Sequence, residues 1–339
     1  MAGYTEELLV AASNLYYVED LTQQEVARRL HLSRITVTRM LKQARESGLV
    51  QITVKAAMPE MHRLALALEQ EWGLSVVRVV ASSRDPKVTL SEMGRAGAEL
   101  LARLLTPGCR VGVAWSRTVS SIVPFVKTPP RPPREVVELA GTYLERGQRY
   151  AVSWPLAHRL GVPLKSIPMP VIVRSERARA LMMDEPSIRQ AFAEAEHVDV
   201  AMVGLGEVSA SSSLVRCGYL GAAQLRELRD RGVVGEVLMS CYDARGRPVQ
   251  VSFQDRVVSI GLERLSRLPT VVAMALGPSK LAAIRGALNG GFIHGLVTDR
   301  DTAAQLLEDG PQPEWRRSPK RIRRQERRST ADTPEEELV

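Results

Sequence analysis

Apolar residues at the start of the chain recur at helical spacing in three consecutive stretches, Tyr4–Val18, Leu21–Leu30 and Ser33–Ser47, joined by very short connections. Thr22 and Glu25 stand in the spacing of a capping box, which predicts where the second helix begins. Val26, Ala27 and Leu30 supply its buried face, His31 and Leu32 the turn, and Ser33 the cap of the third helix. Helices joined in this way cross at the steep angle of a helix-turn-helix. On the third helix Met40, Leu41 and either Ile35 or Val37 are expected to face inward, with Arg34, Thr36, Thr38, Arg39 and Lys42 outward. Gly48 stands where a C-cap glycine is expected, and Leu49–Val54 reads as a short strand by its β-branched content. Pro59 then opens a further helix that runs through about Trp72 and is closed by Gly73.

From Val76 onward the pattern changes to β-branched apolar runs alternating with amphipathic stretches. The predicted strands are Val76–Ala81, Arg110–Trp115, Glu135–Ala140, Val198–Leu205, Thr270–Leu276 and Ile293–Thr298. Between them lie predicted helices over Val88–Leu105, Arg177–Met183, Ser187–Ala195, Ala222–Arg231 and Ser279–Leu288. Strands apolar on both faces and separated by helices imply a mainly parallel sheet covered on both sides. The fold class is therefore α/β: an N-terminal all-α, winged helix-turn-helix over residues 1–57, then a Rossmann-like, doubly wound domain over residues 58–310. Lys127–Arg134 is too rich in proline for a helix or a central strand and reads as a surface loop. Residues 311–339 lose periodicity, carry a basic run followed by an acidic end, and read as a disordered charged tail.

The chain of 339 residues is 45% hydrophobic and 25% charged, which excludes a disordered protein, and no apolar run is long enough for a membrane helix. The N-terminus carries acids early and lacks the basic region of a secretory signal, so a cytoplasmic protein is expected. The three cysteines, Cys109, Cys217 and Cys241, form no CxxC pair, and the five histidines show no metal-ligand spacing. Neither a disulfide framework, a metal centre nor a cofactor is expected. The net charge of +8 favours polyanionic partners. Its distribution says more: Arg28, Arg29, Arg34, Arg39, Lys42 and Arg45 occupy a stretch without an acid. A recognition helix in the major groove needs such a face, with short hydroxyls and methyls for base edges and long cations for guanines and phosphates. The DNA-binding set read from this pattern is Thr22, Gln23, Ser33, Arg34, Thr36, Val37, Thr38, Arg39 and Lys42.

Four segments near predicted strand ends carry candidate ligand chemistry. Ser116 and Thr118, with Arg117 between them, follow one strand, and hydroxyls and a cation at a helix start suit a phosphate. Gly141 and Thr142 follow a second strand, and Gly204 and Gly206 form a glycine turn after a third. Lys280 begins a helix after a fourth, where a cation opposes the helix dipole unless an anion lies beside it. Ligands in such sheets bind outside the carboxyl ends of the strands, so the four together point to a phosphorylated ligand.

The segments YYVEDLTQQEVARRLHLSRITVTRMLKQARESGLVQI, VGVAWSRT, DVAMVGLG, GVVGEVLMSCYDARGRPV, DRVVSIGLERLSRLP and GPSKLAAIRGALNGGFIHGLVTD resemble the SorC family of sugar-responsive regulators, some of which carry the name DeoR. The resemblance covers about residues 5–308. It implies a winged helix-turn-helix followed by a sugar-phosphate-isomerase-like domain, commonly assembled as a tetramer, and a homo-oligomer, dimer or tetramer, is expected. It also implies a phosphate near Gly141-Thr142 and Lys280, with Arg216 and Glu236 as polar contacts to the rest of the sugar. The chain departs from the family at Leu276, where a glycine is usual, and at Arg300, where an acid is usual. The expected partners are a double-stranded DNA operator and a phosphorylated sugar effector, with no membrane. A sugar-phosphate isomerase or deaminase is the competing reading. The segment Glu207–Ser213 after Gly206 lacks the histidine and paired acids such chemistry needs, so no turnover is expected.

Overall fold

Three helices near the N-terminus, α1 (Glu6–Tyr17), α2 (Gln23–Arg29) and α3 (Arg34–Glu46), bury one apolar stripe each. Leu9, Ala12 and Leu15 of α1 meet Val26 and Ala27 of α2 and Val37, Met40, Leu41 and Ala44 of α3 in one cluster. The turn between α2 and α3 requires a left-handed residue, and His31 supplies it with φ 55°. In the computed structural model, residues 4–50, 59–142 and 151–310 are described. The strand expected over Leu49–Val54, and with it the wing, falls largely outside the described residues, and so does the tail 311–339. The chain divides into two compact units, Met1–Met58 and Pro59–Val339.

The second unit begins with α4 (Glu60–Trp72), ended by Gly73 at φ 62°. Then follow β1 (Val76–Val80), α5 (Pro86–Leu104), β2 (Arg110–Val113), α6 (Arg117–Ser120), β3 (Glu135–Glu138), α7 (Ser153–Leu160) and β4 (Leu164–Lys165). The chain continues through α8 (Glu176–Met183), α9 (Pro186–Ala195), β5 (Val200–Gly204), β6 (Gly206–Glu207), α10 (Ser213–Arg216), α11 (Ala222–Asp230), β7 (Val233–Val237) and β8 (Ser240–Asp243). It closes with α12 (Gly261–Leu265), β9 (Thr270–Met274), α13 (Leu281–Gly290), β10 (Gly295–Asp299) and α14 (Arg300–Asp309). Lys127–Arg134 is irregular and mostly exposed. No helix among the described residues is long and apolar enough to cross a membrane.

Seven strands form one sheet in the order β1-β10-β9-β5-β2-β3-β4, every pairing parallel. Alternation along each strand feeds two cores. Ala201, Val203, Val271 and Ala273 pack with Leu68, Trp72, Phe192, Ile284 and Leu306 on one face. Val200, Met202, Val272 and Met274 pack with Met93, Leu101, Leu156 and Leu160 on the other. This is why the strands read as continuous apolar runs. From β2 the chain winds outward through β3 and β4, then crosses back to place β5 on the other side of β2. The gap outside the carboxyl ends of β2 and β5 is therefore the topological switch point, where such sheets hold ligands.

A second, antiparallel sheet, β6-β7-β8, was not apparent from periodicity. Its hairpin turns through Leu238 and Met239, both in the left-handed region at φ 54° and 58°. Neither is a residue that favours that region, so the usual turn signature is missing.

Candidate functional site

In the first unit the helix starts are built as the spacing predicts. The Glu25 amide donates to Thr22 Oγ1 at 3.3 Å, and the Thr22 amide donates to Glu25 Oε2 at 2.8 Å. Ser33 Oγ accepts from the Thr36 amide at 3.1 Å. Thr38 Oγ1 donates to Gln23 Oε1 at 2.8 Å, which pins the start of α2 to α3. Thr22, Gln23 and Ser33 thus have structural duties alongside any contact with a duplex. Arg34, Arg39 and Lys42 are exposed. Lys42 has only a loose pairing with Glu46 at 3.8 Å, and neither Arg34 nor Arg39 has a carboxylate partner among the described residues. Val37 requires a correction: it is fully buried, because it shares the inward stripe with Met40, Leu41 and Ala44, and it cannot reach a base edge. Ile35 is the apolar side chain that faces outward, 66% exposed.

In the second unit the switch point holds a cleft lined by Ala114–Thr118 after β2, by Gly204–Glu207 after β5, and by Ser212–Leu214, Glu236, Leu238 and Lys280. Six of the residues singled out from sequence meet there: Ser116, Thr118, Gly204, Gly206, Glu236 and Lys280. The two glycines make room for side chains. A Cβ on Gly204 would lie 2.2 Å from Ser116 Oγ, and one on Gly206 would lie 1.9 Å from Glu236 Oε1. Ser116 caps the short α6 by accepting from the Val119 amide at 3.3 Å, and Thr118 Oγ1 donates to the Met274 carbonyl at 2.7 Å. Arg117 lines the same cleft and has no ion pair among the described residues.

Lys280 is not a solvent-facing cation. It is buried on the turn Pro278–Lys280 that precedes α13; its Nζ donates to the Leu205 carbonyl at 2.6 Å and meets the Glu207 carboxylate. Glu207 therefore supplies the anion that the lysine's position called for, yet it was singled out in sequence only for what it was not. An acid placed just past the glycine turn after β5 is the signal that would have found it. Burial pushes the Glu207 carboxyl up, but the charge and hydrogen bond of Lys280 more than offset this and leave it below the ordinary carboxylate range.

Gly141 and Thr142 line an adjoining cleft with Glu138 and Ala151–Pro155, which shares Ala114 and Trp115 with the first. Their amides are already committed, Gly141 to the Val258 carbonyl at 2.9 Å and Thr142 to the Met169 carbonyl at 2.7 Å. A Cβ on Gly141 would lie 2.6 Å from the Met169 carbonyl oxygen, so this glycine admits the protein's own chain. Arg216 is exposed at the end of α10 and lines neither cleft. The departure at Arg300 lies away from both, pairing with Glu60 at 3.5 Å.

Glu236 is half-buried in the wall of the cleft. Burial pushes its carboxyl from 4.5 up to about 7, against the pull of the Met239 amide, which donates to Oε2 at 2.8 Å, and of Lys280. A carboxyl raised in the folded state binds its proton more tightly there than when unfolded. Its contribution is thus full below about pH 4.5 and is lost as pH rises toward 7. Over that interval the loss is on the order of 3 kcal/mol. Urea unfolding at pH 5 and at pH 7.5 measures it: Glu236→Gln is expected to lose less stability across that range than the wild type, and equal losses would refute the assignment.

Comparison with known proteins places these features in context. A family model described as "Putative sugar-binding domain" matches residues 57–308, and one described as "Sigma-70, region 4" matches residues 14–47. The sorbitol operon regulator of Klebsiella pneumoniae is 32% identical over 308 residues, covering 89% of this chain and 98% of that protein. The deoxyribonucleoside regulator of Bacillus subtilis is 28% identical over 314 residues, covering 90% and 98%. The crystal structure of the full-length sorbitol operon regulator from K. pneumoniae superposes with a TM-score of 0.68 at 30% identity, covering 90% of this chain and 100% of that one.

Proposed function

The chain belongs to the SorC family of sugar-binding transcriptional regulators and is a regulator rather than an enzyme, and from that premise we propose that a small phosphorylated sugar, seated at the carboxyl ends of β2 and β5, controls its binding to an operator. The observation that carries this reading is the buried Lys280 ammonium in a switch-point cleft that also holds Arg117 and the hydroxyls of Ser116, Ser212 and Ser213. Cations and hydroxyls converging at strand ends suit a phosphate, which offers charge and several acceptor oxygens. The phosphate sits against Lys280 and Arg117, and Glu236 meets the sugar hydroxyls. Gly141 and Thr142, their amides already used, are left to contact the ligand's far end through the second cleft, and Arg216 is left without a part.

In the DNA-reading unit, Arg34, Thr36, Thr38, Arg39 and Lys42 face the major groove, and Thr22, Gln23 and Ser33 hold the helix starts against the backbone. Ile35 takes the apolar contact first given to Val37. A homo-oligomer, dimer or tetramer, presents two such helices to half-sites about one duplex turn apart, in the cytoplasm. The effector biases the assembly by binding one conformer more tightly than another.

The test is a thermal-shift screen of the whole protein against hexose and pentose phosphates and their neutral parents, followed by titration of each hit against a duplex recovered by selection from random sequence. A ligand specific for the folded state raises the melting temperature by mass action. One or more sugar phosphates are expected both to stabilise the protein and to change its affinity for the duplex. Stabilisation by neutral sugars alone would overturn the phosphate assignment.

A further inference from the structure

Lys280 and Glu207 are each about nine-tenths buried as side chains, and they meet at the point where an incoming anion would be received. The lysine also holds the Leu205 carbonyl, so its contacts bracket Gly206, the first residue of β6. The Glu207 backbone is fixed by pairing with Gly235 on β7, while its Oε1 accepts from Ser209 Oγ at 3.2 Å. The carboxylate is thus held by one ammonium and one hydroxyl, on a backbone that stays in place if the side chain swings.

We propose that Glu207 is a built-in anion that occupies the effector's phosphate seat on Lys280 in the ligand-free protein and is displaced when a phosphorylated ligand binds. The inference rests on the phosphate reading of the cleft given above. A neutral sugar that pushed Glu207 aside would leave a buried ammonium without its counter-charge, which is strongly unfavourable. A phosphate replaces one carboxylate charge with nearly two and brings three acceptor oxygens. Glu207 therefore sets specificity by exclusion: it admits ligands that carry their own anion and turns away those that do not.

Glu207→Gln in the full chain keeps the shape and removes the charge. With inorganic phosphate as the probe, the variant is expected to bind at least about tenfold more tightly than the wild type, as follows if the seat is self-occupied roughly nine-tenths of the time or more. Isothermal titration calorimetry and thermal shift both read this. The gain should vanish in Glu207→Gln/Lys280→Met, which places the phosphate on Lys280. Equal phosphate affinity in wild type and Glu207→Gln, no binding to either, or a gain that survives the loss of Lys280 would each overturn the inference. A sugar phosphate bound equally well by wild type and Glu207→Gln would remove the role of Glu207 and leave the phosphate reading standing. Binding of neutral sugars alone by the wild type would remove both.

Discussion

Replacing Arg34 and Arg39 together by alanine is expected to abolish specific operator binding while leaving the melting temperature and the sugar-phosphate response of the protein unchanged. Both side chains are exposed on α3, and neither has a carboxylate partner among the described residues, so their truncation removes no structural contact. An arginine that reads a guanine edge with both nitrogens is worth about 1–3 kcal/mol of discrimination, so two cost about 2–6 kcal/mol, or roughly 30-fold to 10⁴-fold in affinity. Lys42→Ala serves as the comparison. It sits a turn further along α3 and is expected to weaken all duplexes evenly, lowering the slope of log affinity against log salt by about one. Mobility-shift titrations at several salt concentrations separate the two behaviours. Unchanged operator affinity in the double variant would reject the recognition face drawn here.

The helix-turn-helix was legible because each of its boundaries is written locally. Thr22 and Glu25 cap each other within one turn, Ser33 caps the next helix, and the inward stripe repeats at helical spacing. The one ambiguity, Ile35 against Val37, turns on that spacing: Val37 lies three, four and seven residues before Met40, Leu41 and Ala44, and Ile35 does not. The parallel sheet was legible for a related reason, since strands buried on both faces must be apolar throughout. The small antiparallel sheet was not, because its hairpin turns on Leu238 and Met239 with no glycine or asparagine to mark it. The cleft was legible only in part. Strand ends can be read from sequence, but whether a glycine there admits a ligand or the protein's own chain depends on what lies opposite. Gly206 faces Glu236 and Gly141 faces the Met169 carbonyl, and both neighbours come from distant parts of the chain. The partner of Lys280 was hidden in the same way, because Glu207 precedes it by more than a whole helix and hairpin.

Lys280→Met is expected to destabilise the protein more than any other substitution in the cleft. The side chain is buried, and it is the cation that Glu207 and Glu236 share, since its charge lowers the titration of both carboxyls. Removing one partner of a buried ion pair leaves an uncompensated charge and costs about 3–5 kcal/mol, whereas removing both charges is often neutral. For a chain of this size that loss lowers the melting temperature by about 4–8 °C. Two further measurements identify the cause. Glu207→Gln/Lys280→Met should recover most of the loss, a non-additivity that distant, independent sites do not show. The single variant should also regain stability as pH falls, because without Lys280, burial, the largest influence on Glu207, is opposed only by hydrogen bonds from its own amide and Ser209 and raises its carboxyl, so the folded state takes up a proton that the unfolded state releases. If Lys280→Met melts within 1–2 °C of the wild type at neutral pH and shows no added pH dependence, the pair contributes no desolvated charge. The cleft would then be open to neutral ligands, and the exclusion assigned to Glu207 would have no physical basis.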